Sequence, residues 1–560
     1  MKSNDKKVFI ISLDGATFDV LNPLISQGYM PNLSAMMSHS VAADLESVVP
    51  PVTAPAWTSF MTGKHPNKHG IFDFARFSPE HYNWTINNAQ SIQSKTLWQI
   101  LSEKNKRVVV LNLPYTYPPY QVNGVLVSGW DAPFIGATFS YPDKVSGDIC
   151  RMFPDYKNNL WISELQPLRS DAQFNELTHK LKAGFEQQAR IALDFLRKEP
   201  WDVFMVHFQQ TDWIQHKLWT YIERGCSDPS DHSPKVEETR NCYRRFDELI
   251  GRLFKEVAPL NSTTIVLSDH GFGRLMGNIH PNFYLRKWGY LSVTGEAEDS
   301  LKGVRQLFCE SKHKTVRKLY RTLAKAKDGL RNGGAKQDHN SWVDNAGDVL
   351  GARGSTWDWN RTRVAVIYAY QMGFLYVNLV GRGPKGIVGP GREYETLLAD
   401  LVARFRELRH PSTGERLLQD VMRGVDIYPV ANNDIAVPDL VLIPVDGYGF
   451  SFSLNDAPPK VSEEGTHRHN GVLLINGDFV RQPTAGFRPN LIDLAPTILR
   501  ILGLPVPSDM DGRVLEEILN LDSSNRYEEV DNSMVRVAQN YGEAEQDIIA
   551  QRLKGLGYLD

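Results

Sequence analysis

Cysteine is scarce in this chain. There are four in 560 residues, at Cys150, Cys226, Cys242 and Cys309, and no two form a Cys-x-x-Cys pair. That spacing excludes cysteine-based zinc or redox chemistry and fits incidental thiols in a reducing compartment. Long apolar runs are missing too, since no stretch approaches the roughly 20 apolar residues that a membrane span needs. The N-terminal lysines precede an apolar run as in a signal peptide, but Val8 to Leu13 is too short for one and stops at Asp14 without a small-residue cleavage site. A large excess of one charge is also absent. The formal net charge is -3, which makes no case for a stable nucleic-acid complex or a membrane surface. The expectation is a soluble cytoplasmic protein; its oligomeric state is left open.

What is present is the pattern of an α/β enzyme. The chain is 42% hydrophobic and 23% charged, ordinary for a globular protein but long for a single domain. Short β-branched runs at Val8–Leu13, in RVVVLNLP before residue 115, at Asp202–Val206 and at Ser262–Ser268 read as strands buried on both faces of a parallel sheet. Helical patterns separate them, at about 170–199 and 236–257, and the rhythm resumes with a helix from about 393 to 408, a strand from 438 and another at Gly471–Asn476. Residues 1–274 and 386–520 are therefore expected to form one catalytic domain, 275–385 an inserted cap and 521–560 a helical tail. Within the insertion, residues 302–336 hold eleven Lys or Arg against Glu310 and Asp328. This is either a solvated helix face or a basic cap that attracts a phosphate-bearing substrate. The stretch 381–391, rich in Gly and Pro, lacks the context of a phosphate-binding loop and reads as a plain loop.

Chemistry-bearing residues gather just after the buried strands. Asp14 ends the first strand, where ligands of open α/β sheets bind, although a turn Asp capping the next helix would look the same. Asp212 and His216 are four apart and share a face if helical. Asp269 and His270 sit at the tip of another strand, before the glycines Gly271 and Gly273. His467 and His469 lie in a polar loop ahead of a late strand, and either could be a ligand. Thr53 opens the stretch Thr53-Ala54-Pro55, whose hydroxyl could be a nucleophile or an ordinary helix-start residue; the helix itself is expected from Thr58 to Met61. Asp14, Asp212, His216, Asp269, His270 and His467 mix carboxylate and imidazole donors, which suit Zn²⁺ or Mn²⁺, and they are numerous enough for two adjacent ions.

Taken in order, Leu13-Asp14-Gly15, Thr53-Ala54-Pro55 with Thr62-Gly63 and His69-Gly70-Ile71, Asp212 with His216, Ser268-Asp269-His270-Gly271 and Gly465-Thr466-His467 resemble the alkaline phosphatase superfamily, in particular its type I phosphodiesterase/nucleotide pyrophosphatase branch. The resemblance spans residues 8 to about 515. It implies an alkaline-phosphatase-like sandwich, a mostly parallel sheet flanked by helices, with an inserted helical cap. It also implies two divalent metals, Zn²⁺ with Mn²⁺ as the alternative. Asp14, Thr53, Asp269 and His270 would surround one of them, and Asp212, His216 and His467 would hold the other. Thr53 would attack phosphorus in line to give a phospho-threonine that water then hydrolyses, the substrate being a small phosphate ester that could contain a nucleotide. The chain departs from the branch at Ala56, where nucleotide pyrophosphatases usually carry an Asn whose amide contacts a phosphoryl oxygen. Lys64, Arg468 or the basic segment could replace that donor.

The rival enzyme reading is a phosphomonoesterase or a phosphoglycerate-mutase-like phosphotransferase of the same superfamily, which generally use Ser as nucleophile. A sulfatase or phosphonate monoester hydrolase is disfavoured because the Cys-x-Pro-x-Arg type signature is absent. A catalytically idle metal-binding interaction protein is the alternative from another class, and the full set of seven residues speaks against it.

Overall fold

A computed structural model describes residues 6–133, 138–154, 156, 168, 170–293, 357–428, 435–454, 458–521, 527–529 and 541–556. Its centre is an eight-stranded sheet in the order Val41–Glu46, Asn470–Asn476, Ser262–Leu267, Lys7–Leu13, Val203–Phe208, Val108–Leu113, Gly124–Ser128, Ser140–Tyr141. The five strands from Ser262–Leu267 to Gly124–Ser128 run parallel. The outer strands are antiparallel to their inner neighbours, so the sheet is mixed at both ends. The apolar runs explain the middle of the sheet: Val8 to Ile11 and Val203 to Met205 are wholly buried, as expected of strands covered by helices on both faces. Each such Val, Ile or Phe contributes about 1.5–3 kcal/mol by leaving water.

Covering helices include Asp171–Lys198, Gln210–Ser227 and Pro234–Val257. Ser170 caps the first by accepting a hydrogen bond from the Gln173 backbone N–H at 3.3 Å. A second sheet of four antiparallel strands has the order Val364–Ala369, Gly373–Val377, Leu440–Pro444, Leu418–Arg423. It draws strands from both sides of residue 386, the expected end of the insertion. The strand expected from residue 438 is present as Leu440–Pro444, but it pairs in this sheet and not in the central one. The described part of 275–385 contains the helix Pro281–Lys287 and the hairpin Val364–Val377; the basic segment 302–336 lies outside the described residues. The helix Glu543–Leu556 lies in the expected tail. Its buried Arg552 donates to the carbonyls of Trp130, Ala132 and Pro133. Among the described residues, no helix is long and apolar enough to cross a membrane.

Candidate active site

Three neighbouring parallel strands, Ser262–Leu267, Lys7–Leu13 and Val203–Phe208, end at the same edge of the sheet. Asp14 follows the middle strand directly, and Asp269 with His270 follow one flanking strand. The other flanking strand leads into the helix Gln210–Ser227, whose first two turns carry Asp212 and His216 on one face. His467 is not in a loop as expected. It lies in the short strand Gly465–Arg468, paired antiparallel with Gly271–Arg274 so that His467 stands opposite Phe272. Gly271 allows this approach, because a Cβ there would fall 2.0 Å from the Asn470 carbonyl oxygen. The rings of His270 and His467 consequently stack at 3.6 Å.

Thr53 is the first residue of the helix Thr53–Thr62 and is wholly buried. The helix begins five residues earlier than the apolar pattern from Thr58 indicates, because Pro55 fits a first turn that needs no amide donor there. The Thr53 hydroxyl thus lies at the positive end of a helix, beside the Thr53 and Ala54 amides, which as first-turn groups have no intrahelical acceptor.

These elements bring six candidate ligands into two buried groups, Asp14 with Asp269 and His270, and Asp212 with His216 and His467. In the first, His270 Nε2 is 3.5 Å from Asp14 Oδ1, 3.3 Å from Asp269 Oδ2 and 3.5 Å from Thr53 Oγ1. Its Nδ1 is 3.1 Å from the Gly271 carbonyl, an oxygen that can only accept, so Nδ1 carries the proton and Nε2 presents a lone pair. In the second, His467 Nδ1 likewise faces the Pro51 carbonyl at 3.1 Å. Its Nε2 is 3.3 Å from Asp212 Oδ1 and 3.1 Å from His216 Nε2. Lone pairs of nitrogen and carboxylate oxygen therefore converge in the first group, where the buried Asp14 Oδ1 and Asp269 Oδ2 accept no hydrogen bond, and His467 Nε2 turns a lone pair toward the second. Such convergence is unfavourable without a cation and is what a metal ion requires.

The electrostatics agree. Burial, then the charges of Asp269 and Asp212, push the Asp14 carboxyl well above its ordinary value, and burial does the same to Asp269. Burial holds His270 far below the usual imidazole range and His467 down at about 4. Burial works against ionisation of Asp212 too, but the imidazoles of His216 and His467 outweigh it and hold the group low. Two carboxylates thus lack positive charge while His270 and His467 stay neutral, the protonation state of metal-binding histidine.

Supporting residues escaped the sequence reading. Trp57 Nε1 donates to Asp14 Oδ2 at 2.8 Å, and His207 Nε2 lies 3.5 Å from the same oxygen. The Gly15 backbone N–H donates to Asp269 Oδ1 at 3.1 Å. Tyr370, from the turn between the first two strands of the second sheet, places its hydroxyl 3.5 Å from His216 Nε2. Trp57 was detectable as the residue one helical turn beyond Thr53 had the helix start been placed correctly; Tyr370 had no local signal. Of the other expected residues, His469 lies 3.5 Å from Glu46 and outside both groups. His69 tethers its own turn, with Nδ1 accepting from the Ile71 N–H at 3.2 Å and Nε2 2.8 Å from Ser59 Oγ. A cavity of about 320 Å³ beside Pro51, Gln371 and Arg468 reaches His467, whereas a larger one of about 400 Å³, lined by Phe77, Tyr82 and Tyr368, touches none of the seven residues.

Residues 8–471 match the type I phosphodiesterase/nucleotide pyrophosphatase family. No curated protein matches the sequence as a relative. A phosphonoacetate hydrolase from Sinorhizobium meliloti 1021, solved with phosphonoformate, superposes with a TM-score of 0.53 at 15% identity, covering 89% of this chain and 96% of that one. Human ectonucleotide pyrophosphatase/phosphodiesterase 5 gives a TM-score of 0.49 at 13% identity, over 92% of this chain and 100% of that one. The first likeness shows the alkaline-phosphatase-like α/β fold. With its family matched across most of its length, this chain belongs to the type I phosphodiesterase/nucleotide pyrophosphatase family, whose members are phosphoester hydrolases.

Proposed function

We propose that the protein is a metal-dependent phosphodiesterase that cleaves a phosphodiester or nucleotide pyrophosphate bond through a phospho-threonine on Thr53. The observation that carries this reading is the Thr53 hydroxyl, held at a helix N-terminus 3.5 Å from His270 Nε2 and facing converging, uncompensated ligand atoms. Asp14, Asp269 and His270, with Thr53, would hold one divalent cation, and Asp212, His216 and His467 a second. The mixed carboxylate and imidazole donors suit Zn²⁺, with Mn²⁺ the alternative. Bound cations supply the positive charge that keeps a threonine oxygen ionised at neutral pH and neutralises charge building on phosphoryl oxygens.

The chain's own groups do the rest. Thr53 Oγ1 attacks phosphorus, the bond to the leaving oxygen breaks, and that oxygen takes a proton. Water then cleaves the phospho-threonine, restoring Thr53 and releasing a phosphate monoester. The Thr53 and Ala54 amides at the helix end are placed to receive a phosphoryl oxygen. Trp57 and Gly15 orient Asp14 and Asp269 through the bonds described above. Phosphoryl transfer is mainly positioning and charge neutralisation, so no separate general base is required. The 320 Å³ cavity beside His467 offers room for a substrate group.

The metal-loaded protein, assayed with bis-p-nitrophenyl phosphate and p-nitrophenyl phosphate, is expected to turn over the diester faster. Thr53→Ala and a chelator should each remove the activity. Faster cleavage of the monoester would favour the phosphomonoesterase, and turnover that survives Thr53→Ala would sink the nucleophile assignment.

A further inference from the structure

Two short spacings accompany the candidate ligands in the sequence, Ser12-x-Asp14 and His207-x-Gln209-x-x-Asp212. The strands Lys7–Leu13 and Val203–Phe208 are parallel neighbours in which Ser12 stands beside His207, so the strand ends bring His207 against Asp14. The His207 Nε2 atom lies 3.5 Å from Asp14 Oδ2. Gln209 immediately precedes the helix Gln210–Ser227, one turn before Asp212, a spacing that lets both side chains share a face. All five side chains are buried.

Hydrogen bonds join them into one chain, and the chemistry of its ends fixes its direction. Asp14 and Asp212 each turn Oδ1 toward the histidine nitrogens of their own group, which leaves Oδ2 for other partners. As a carboxylate oxygen Asp212 Oδ2 can only accept, so the Gln209 amide turns its nitrogen to it, at 3.4 Å. Gln209 Oε1, again only an acceptor, then lies 3.0 Å from His207 Nε2, and His207 must carry its proton there. The same N–H faces Asp14 Oδ2. His207 Nδ1 is left with the lone pair, and the Ser12 hydroxyl, 3.1 Å away, donates to it. This tautomer is the reverse of that in His270 and His467, whose Nδ1 atoms hold the proton against main-chain carbonyls. His207 therefore directs an N–H at the site, where those two direct ligand atoms. The Trp57 ring, meeting the His207 imidazole edge-on at 5.0 Å, packs it in place.

We infer that His207 and Gln209 are positioning residues that tie one carboxylate of each candidate metal group into a single hydrogen-bonded chain, so that the two groups are oriented together by side chains that bind no cation. The inference rests on the metal-dependent reading above and goes beyond it by naming what sets one group against the other. Strand register fixes where the ligand residues start, and outer hydrogen bonds fix how their carboxylates are turned.

The test is Zn²⁺ affinity in the full-length protein, measured by competition against a chromophoric chelator, with His216→Ala as the reference that removes the second group's affinity. Gln209→Met keeps the reach of the side chain without its amide and should weaken the second group about tenfold, the low end for loss of an outer bond to a ligand. His207→Phe should weaken the first group to a similar extent. It should also weaken the second by about threefold, because members of one hydrogen-bonded network are coupled. The double variant decides the matter: its second-group affinity should equal that of Gln209→Met, since His207 reaches Asp212 only through Gln209. His207→Gln, which can still donate, should recover most of the first group's loss, and melts of the metal-free variants show that each is folded. Should His207→Phe not fold, Gln209→Met still decides, because wild-type affinity at its second group overturns the inference. Second-group losses that simply multiply in the double variant would overturn it too. A wild-type protein that binds neither Zn²⁺ nor Mn²⁺ would refute the metal-dependent reading and this inference together, whereas two bound metals without diester turnover would refute only the proposed reaction.

Discussion

Replacing Trp57 with Phe removes one N–H from the site and shrinks a wholly buried ring. The indole Nε1 donates to Asp14 Oδ2 at 2.8 Å, and both side chains are wholly buried. A hydrogen bond to a charged acceptor contributes about 1.5–3 kcal/mol, and it acts here on a carboxyl that burial and the charges of Asp269 and Asp212 already push upward, with the Trp57 bond pulling it back. Without the indole, Asp14 rises further and a proton competes better with a cation for the same oxygens. At 1.4 kcal/mol per decade, metal affinity at the Asp14–Asp269–His270 group should weaken roughly 10- to 100-fold, the range for loss of an outer hydrogen bond to a ligand. The second group, whose ligands Trp57 does not contact in any hydrogen bond described above, should keep its affinity. The smaller ring also leaves space beside Phe60 and His207, which pack against the indole at 5.7 and 5.0 Å, so the metal-free protein should lose about 1–3 kcal/mol. Competition against a chromophoric chelator separates the effects, because it resolves two affinities while a melt of the apo protein reports packing. Equal weakening at both sites, or affinities within twofold of wild type, would refute the argument.

Two further outcomes follow from the fold. Burial pushes the Asp131 carboxyl up to about 7, so between pH 4 and 7 the folded protein holds a proton that the unfolded chain has released; stability from this group is full at low pH and is lost as pH rises through that window, by up to about 4 kcal/mol. Asp131→Asn has no such proton, so its melting temperature relative to wild type should climb from pH 4.5 to 7.5; a difference that stays flat or falls would contradict the assignment. Gly271→Ala puts a methyl group 2.0 Å from the Asn470 carbonyl oxygen, which forces the ribbon bearing His467 away from His270. It should cost about 3 kcal/mol and deplete metal from both groups, as thermal melts and elemental analysis would report; a wild-type metal content would show that the close approach is unnecessary.

The local chemistry of the chain was legible before any coordinates. Strand-ending Asp14, Asp269 and His270 stand out because buried parallel strands read as continuous apolar runs, and their carboxyl ends are where such sheets bind ligands. Asp212 and His216 are paired by helical spacing alone. Those rules act within about a turn or a strand, so a linear text carries them. The helix start at Thr53 was misjudged because apolar periodicity begins only at Thr58, whereas the first turn is set by Pro55 and by the loop before it.

What needed three dimensions was every relation across long separations. The resemblance carried by Gly465-Thr466-His467 favours His467 over His469, but residue type and loop position do not; a strand register opposite Phe272 separates them in space, by turning one imidazole onto His270 while the other meets Glu46. Trp57 becomes a partner of Asp14 only when its helix packs over the end of the first strand, and Tyr370 enters the site from a sheet that joins residues on both sides of an expected boundary. Ligand types and their order are properties of the sequence, but convergence of their lone pairs is a property of packing, because the free energy that holds unlike groups together in a buried site comes from the sheet and helices around it.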